Sequence, residues 1–188
     1  MKKTPVRKMQ YYEKGCCPIV SIVIVNYNAG PLLSKVVVAA LQSTIPVEIF
    51  VCDNGSNDGS LALLHSLHTD SRLRIIENNA NLGFARANNI ALKQAVGEFT
   101  LLLNPDCIIQ ANTLERLLAA IKGDPETRMV GCLVRNPDGT EQAGCRRRVP
   151  SPWRTIVRVL HLNRLFPDDP RFRRITLSRE PLPEKPVF

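Results

Sequence analysis

Two carboxylates and a set of carboxamides carry the chemistry this chain offers. Asp53 closes the apolar run Val47-Glu48-Ile49-Phe50-Val51-Cys52, and Asp106 follows Phe99-Thr100-Leu101-Leu102-Leu103 by way of Asn104-Pro105. Pro105 has no N–H for a ladder, so pairing is predicted to stop there and hold Asp106 at the mouth of a sheet. A carboxylate so placed suits a divalent cation completed by a substrate's own phosphates; the cation neutralises a departing diphosphate. Asp53 is positioned to accept a nucleobase N–H, with Tyr27 stacking or hydrogen-bonding beside it. Asn26-Tyr27-Asn28, Asp53-Asn54-Gly55-Ser56, Asn78-Asn79 and Asn104-Pro105-Asp106 each end an apolar run. Turn chemistry by itself favours Asn, Asp and Gly at such places. Two carboxylates converging beside small loops exceed what turns need, and the pattern reads as a binding crevice.

The elements that must position these groups are legible as periodicity. Ile19–Val25 is a β-branched run and a predicted buried strand. Asn28 is expected to cap the next helix, with Pro31 inside its first turn and an end near Gln42. Val47–Cys52 is the second strand. A helix to about His68 follows, with Leu61, Leu64 and His68 on one side. Leu73–Glu77 is the third strand. The helix after it places Phe84, Ala87, Ala91 and Ala95 on one stripe and is expected to stop at Gly97. Phe99–Leu103, the fourth strand, is expected to be buried on both faces. Asn112-Thr113-Leu114-Glu115 has the form of a capping box, before a helix with Leu114, Leu117, Leu118 and Ile121 on its apolar face. Met129–Val134 is a predicted fifth strand, and Asn136-Pro137-Asp138-Gly139 a turn. Strands alternating with helices describe βαβ units. The fold class is therefore α/β: a Rossmann-like, mostly parallel sheet flanked by helices, with a basic C-terminal extension. Right-handed crossovers bring every strand's C-terminal end to one edge.

The chain has 188 residues and a net charge of +8, unevenly placed. Residues 1–20 carry +4, residues 21–145 carry −3 and residues 146–188 carry +7. A nucleic-acid binder is expected to put its positive stripe on the folded body, so this distribution argues against one. Basic ends suit an anionic membrane surface or a phosphorylated lipid, and equally a solvated tail. The predicted division is a basic leader over 1–17, an α/β domain over 18–145 and a basic extension over 146–188. Six cysteines occur without C-x-x-C or zinc-ligand spacing to a His, which excludes the usual metal clusters. Cys52 and Cys132 are expected as small buried hydrophobes. No apolar stretch approaches the length of a spanning helix, and Pro18–Val25 is too short for a secretory leader. The expected location is cytoplasmic, with peripheral contact at the inner face of the membrane. G-x-G-x-x-G after the first strand and the P-loop signature are both absent.

Four motifs in register carry a resemblance. They are Val20–Asn28, Val51–Ser60, Asn81-Leu82-Gly83-Phe84-Ala85-Arg86-Ala87-Asn88-Asn89 and Leu102-Leu103-Asn104-Pro105-Asp106. Together they resemble the nucleotide-sugar-binding half of a family 2 glycosyltransferase of GT-A fold, most nearly its rhamnosyltransferase-like branch, over about residues 19–175. The resemblance implies a nucleoside-diphosphate sugar donor such as dTDP-rhamnose, and inverting transfer to a saccharide or lipid-linked acceptor of the cell envelope. It implies that Tyr27 and Asp53 contact base and ribose, with Asn28, Asn54, Gly55, Ser56 and Asn104 beside them. The resemblance also implies that Asn81, Gly83 and Asn88 belong to a segment closing over the nucleoside, and that Asp106 holds Mg²⁺ or Mn²⁺ at the diphosphate.

Such transfer needs a base to deprotonate the acceptor. The family's base lies in a Glu-Asp stretch that does not occur before Phe188, so the expectation is a donor-binding half without its catalytic base. Asp138 and Glu141 fit a surface turn better than that role. His65, His68 and His161 are expected on helices away from the rim. Pro152–Phe166 reads as a basic amphipathic helix with Trp153, Ile156 and Leu160 on one side, suited to a membrane interface or to an acceptor-side partner. Two rivals stand beside the leading reading. A sugar-phosphate nucleotidyltransferase needs a basic Gly-rich loop after the first strand, which Asn26–Pro31 lacks. A protein that holds nucleotide sugar without transferring it needs no base.

Overall fold

The computed structural model describes residues 17–67, 70–143, 145–146, 151–165 and 169. The leader to residue 16, His68, Arg147, Arg148 and the basic tail from 170 onward lie outside the described residues. The chain divides into two compact units, Met1–Ala119 and Ala120–Phe188.

The first unit is built on β1 (Val20–Asn26), β2 (Val47–Asp53), β3 (Leu73–Glu77) and β4 (Phe99–Leu103), with α1 (Leu32–Leu41), α2 (Ser60–Leu67), α3 (Phe84–Leu92) and the start of α4 (Thr113–Gly123). All pairings are parallel and the order is β3-β2-β1-β4. The fold expected from the sequence is the fold observed. Strand alternation divides the core between the two faces. Ile22, Ile24, Ile49 and Val51 pack with Leu33, Val36 and Val37 of α1, Leu64 of α2 and Leu114 of α4. Val23, Val25, Phe50 and Cys52 pack with Ala87 and Ala91 of α3. Each fully buried aliphatic of this kind contributes about 1.5–3 kcal/mol. Burial pushes the Cys52 thiol up to about 11.

Three expectations are corrected here. β4 is an edge strand with Thr100 and Leu102 exposed, because the order leaves β1 as its one partner in the sheet. α3 ends at Leu92, before Gly97. At the head of α4 the Thr113 hydroxyl accepts the Gln110 N–H at 2.9 Å, and Glu115 accepts from the Thr44 hydroxyl at 3.3 Å rather than closing a box.

Gly97 serves a different purpose. A Cβ there would lie 2.6 Å from the Ser21 N and 2.7 Å from its hydroxyl, so only glycine permits the approach. Glu48, fully buried at the opposite end of the sheet from the rim, secures that approach. Its Oε1 accepts from the Ser21 hydroxyl at 2.6 Å, the Val96 N–H at 2.7 Å and the Gly97 N–H at 3.3 Å. Arg74 stands 3.9 Å from Oε2 and lies over the Phe50 ring at 5.4 Å.

The second unit contains α5 (Pro152–Val159) and α6 (Leu162–Leu165). The expected strand over Met129–Val134 does not form among the described residues. Met129 is 85% exposed, and the pairing found nearby is an isolated antiparallel bridge, Arg135 to Glu141. The reason is local: Asn136–Thr140 turns the chain back so soon that Val134 and Gln142 pair with each other instead of extending a sheet. Cys132 is exposed, contrary to expectation. The expected helix to Phe166 is interrupted at His161, which sits at φ 53°. Trp153, Ile156 and Leu160 are exposed, and Val157 on α5 is buried.

Glu48→Ala strips the acceptor from the Val96 N–H, removes one of the two acceptors of the Gly97 N–H, which keeps the Ser21 hydroxyl, and takes away the buried carboxylate beside Arg74. It should lower unfolding free energy by about 3 kcal/mol or more, read as a fall in urea midpoint. Gly97→Ala should cost about 1–3 kcal/mol by overpacking.

Candidate functional site

The parallel register of β1 and β2 places Asn26 opposite Asp53 at the C-terminal rim. Both are buried, at 0% and 3% exposure. A buried carboxylate persists only if its oxygens are satisfied, and here both oxygens are doubly occupied. Oδ1 accepts from Asn26 Nδ2 at 2.7 Å and the Ser56 hydroxyl at 2.6 Å. Oδ2 accepts the Gly55 and Ser56 N–H groups, each at 3.0 Å. Asn26 Nδ2 also reaches the hydroxyls of Ser56 and Ser60, at 3.0 and 2.9 Å. Asp53 therefore shapes the loop after β2, and a nucleobase N–H that meets it shares an oxygen with one of these donors. Gly55 is needed at φ +77°, where an added Cβ would come within 3.2 Å of the Ala80 N.

This loop is clipped to the one after β1. The Asn28 N–H donates to Ser56 Oγ at 3.0 Å, and the Asn57 N–H to Asn28 Oδ1 at 2.9 Å. The Gly30 N–H donates to Asp58 Oδ2 at 2.6 Å. Asn28 thus sits in the left-handed region at φ 54°, as Asn tolerates, and does not cap α1, which begins after Pro31 with no side-chain cap. The Ser60 hydroxyl, with the N–H groups of Ser60 and Gly30, holds the Asp58 carboxyl below the usual carboxylate range.

A third loop joins through Asn54, which is 2% exposed. Its Oδ1 accepts from Asn78 Nδ2 at 3.0 Å, and its Nδ2 makes weak 3.5 Å bonds to Asn81 Oδ1 and the Gly83 carbonyl. Asn81 Oδ1 also takes the Gly83 N–H at 3.0 Å, at the head of α3. Asn88 is buried on α3 rather than on the rim surface. Its Nδ2 donates to the Phe84 carbonyl at 2.9 Å, while its Oδ1 has no partner among the described residues.

Beyond β4, Asn104 and Asp106 are exposed. The Asn104 carbonyl accepts the Cys107 N–H at 3.1 Å, and the Cys107 thiol lies 3.5 Å from Asp106 Oδ1. With β1 between them, the C-terminal ends of β2 and β4 open on one rim, the strands roughly 10 Å apart at ordinary spacing; Asp53 closes β2 and Asp106 follows three residues past β4. The strand order reverses between β1 and β4, and open α/β sheets bind ligands outside such a reversal. Tyr27, 53% exposed, stands at that point. The rim is thus a buried polar knot of Asn26, Asp53, Asn54 and Ser60 carrying an exposed surface of Tyr27, Asn28, Gly55, Asn104 and Asp106. Asn26, Ser60 and Asp58, to which the sequence patterns assign no part, are thus structural members of the rim. An amide ending a buried strand beside a strand that ends in a carboxylate was the available signal. No group of three or more His, Cys, Asp or Glu that could hold an ion occurs among the described residues. Asp106 offers one hard oxygen donor, which fits Mg²⁺ or Mn²⁺ where phosphate oxygens complete the shell.

Comparison with known proteins accords with this geometry. The sequence model of the family described as "Glycosyl transferase family 2" matches residues 21–176. An N-acetylglucosaminyl-diphospho-decaprenol L-rhamnosyltransferase of Mycobacterium tuberculosis is 26% identical over 181 residues, covering 90% of this chain and 58% of its own length. A UDP-Glc:alpha-D-GlcNAc-diphosphoundecaprenol beta-1,3-glucosyltransferase of Escherichia coli is 37% identical over 98 residues, 52% of this chain and 38% of that protein. Among solved structures, a mannosyltransferase of Pyrobaculum calidifontis in complex with GDP-Man and Mn2+ superposes with TM-score 0.53 at 25% identity, covering 64% of this chain and 36% of that one. The chain thus spans little more than half the length of this mycobacterial relative.

The clip between Gly30 and Asp58 has a definite pH dependence. Because the folded pKa is depressed below 3.8, the contact is complete above that value and is lost only as pH falls through the lower one. Amide spectra should show the Gly30 N–H moving with a midpoint below 3.8, and no such titration in Asp58→Ala.

Proposed function

The chain belongs to glycosyl transferase family 2, and on that premise we propose that its rim binds a nucleoside-diphosphate sugar for inverting transfer to a saccharide or lipid-linked acceptor. The observation that carries the reading is the convergence of Asp53 and Asp106 on one rim, flanking the reversal of strand order. Tyr27 stacks or hydrogen-bonds on the base. Asp53 fixes the Gly55–Ser56 backbone against base and ribose and shares an oxygen with them; Asn28, Asn54, Asn81 and Gly83 order the surrounding loops, and Asn88 holds the Phe84 carbonyl in the first turn of α3 beside them. Asn104 and Asp106 face the diphosphate, and Asp106 is the ligand for Mg²⁺ or Mn²⁺. When bound, that cation neutralises the diphosphate as it leaves. Transfer breaks the bond from the anomeric carbon to the diphosphate, forms one to the acceptor oxygen, and passes the acceptor's proton to a base. The mycobacterial relative's name supports an L-rhamnosyl donor such as dTDP-rhamnose, and both relatives' names support a lipid-linked acceptor. No helix among the described residues is long and apolar enough to cross a membrane. We place the chain in the cytoplasm, with its basic ends at the anionic inner face of the membrane.

One observation favours a second reading, a chain that holds nucleotide sugar without transferring it. Asp138 accepts from the N–H and hydroxyl of Thr140 within the turn, and Glu141 is paired with Arg146 at 2.8 Å. Those bonds hold both carboxyls below their usual range and suit structure better than proton transfer.

Calorimetry with UDP, GDP and dTDP tests the binding claim. At least one should bind roughly tenfold or more tightly with Mn²⁺ or Mg²⁺ than with chelator, a difference of about 1.4 kcal/mol. Asp106→Ala should erase that difference. Equal affinity with and without metal contradicts the role given to Asp106.

A further inference from the structure

Two cysteines that the proposed site does not use lie together in the second unit. Cys132 and Cys145 carry thiols on either side of the Asn136–Gly139 turn. The chain between them folds back on itself: Arg135 bridges Glu141, the Gln142 N–H donates to the Val134 carbonyl at 2.9 Å, and the Asn136 N–H to the Thr140 carbonyl at 2.8 Å. That reversal carries Cys145 to the backbone of Cys132. Its Sγ lies 3.6 Å from the Cys132 carbonyl oxygen and 3.1 Å from the Val134 nitrogen, whose N–H donates to it. The Cys145 N–H is itself tied to the Gln142 carbonyl at 3.0 Å. The sulfur of one cysteine is therefore held against the main chain of the other, and the Cys132 side chain is exposed. Cross-linking two cysteines needs their α-carbons within about 7 Å and their side chains able to meet. The 3.6 Å contact of the Cys145 sulfur with the Cys132 carbonyl brings that sulfur to the residue whose thiol it would join.

We propose that Cys132 and Cys145 form a reversible disulfide that locks the 132–145 hairpin. The reaction is thiol–disulfide exchange with a small-molecule disulfide of the oxidised-glutathione class. One cysteine thiolate attacks the glutathione disulfide and releases one glutathione as thiolate. The second cysteine thiolate then attacks the protein sulfur of the mixed disulfide and releases the other glutathione. The pair loses two protons and two electrons, and one glutathione disulfide becomes two glutathione thiols. The bridge closes a short loop and fixes the turn from which Glu141 holds Arg146. The inference stands on the second unit alone and is independent of the reading of the rim.

The intact chain is equilibrated across a series of reduced-to-oxidised glutathione ratios, alkylated and digested with trypsin. The cross-link joins the peptides Met129–Arg135 and Asn136–Arg146, and the joined mass is two hydrogens below their sum. The expected result is that this species rises as the oxidised fraction rises, disappears on reduction with dithiothreitol, and is absent in both Cys132→Ser and Cys145→Ser. Full alkylation of both cysteines at every ratio overturns the proposal. So does a mixed disulfide with glutathione that never resolves to the joined peptides, or pairing of either residue with Cys17 or Cys107 instead.

Discussion

The rim depends on the pairing of Asn26 with Asp53. Parallel register alone brings the two side chains face to face at the ends of β1 and β2. Once there, each solves the other's problem: the carboxylate is buried and needs donors, and the amide is buried and needs acceptors. Ser56 and Ser60 complete the set, so that the loop after β2 is wrapped around a charge instead of hanging from a strand. Buried polar networks are stabilising only when every member is satisfied, and they then specify a single conformation. The loops after β1 and β3 take their positions from this one, through Ser56, Asn57 and Asp58 on one side and Asn54 on the other.

The sheet is anchored separately at its other end. Glu48 gathers Ser21, Val96 and Gly97, which fixes where β4 enters beside β1. That entry point decides where β4 leaves, and hence where Asp106 emerges. A buried acid on β2 thereby helps set the place of an exposed acid after β4, although the two lie at opposite ends of the sheet. The exposed surface at the rim is small and polar, with Tyr27 as its aromatic part.

Much of this was legible in the sequence, because it rests on patterns with a fixed period. The β-branched run of β1, the run of β2 ending at Asp53 and the proline after β4 marked three strand ends within a residue. What was not legible depended on partners distant in the chain. Burial of β4 on both faces was inferred from its apolar run, but its edge position follows from strand order. Gly97 looked like a helix stop, because its actual role, close approach to Ser21, needs a contact 76 residues away in sequence. Met129–Val134 has strand composition yet forms no strand, since the turn at Asn136 pairs it with itself. Asp53 was correctly placed on the rim, but its four internal hydrogen bonds, which make it the frame of the site, were invisible without Asn26 opposite it.

On this reading the knot presents one continuous surface to a nucleoside diphosphate. Backbone amide spectra of the chain, recorded during titration with a nucleoside diphosphate and Mg²⁺, test it most directly. Tyr27, Asn28, Gly55, Ser56 and Asp106 should shift together along a single binding curve while Val96 and Gly97, at the Glu48 end, stay in place. Shifts that gather at the Glu48 end, or that leave Gly55 and Asp106 unmoved at saturation, would contradict that reading.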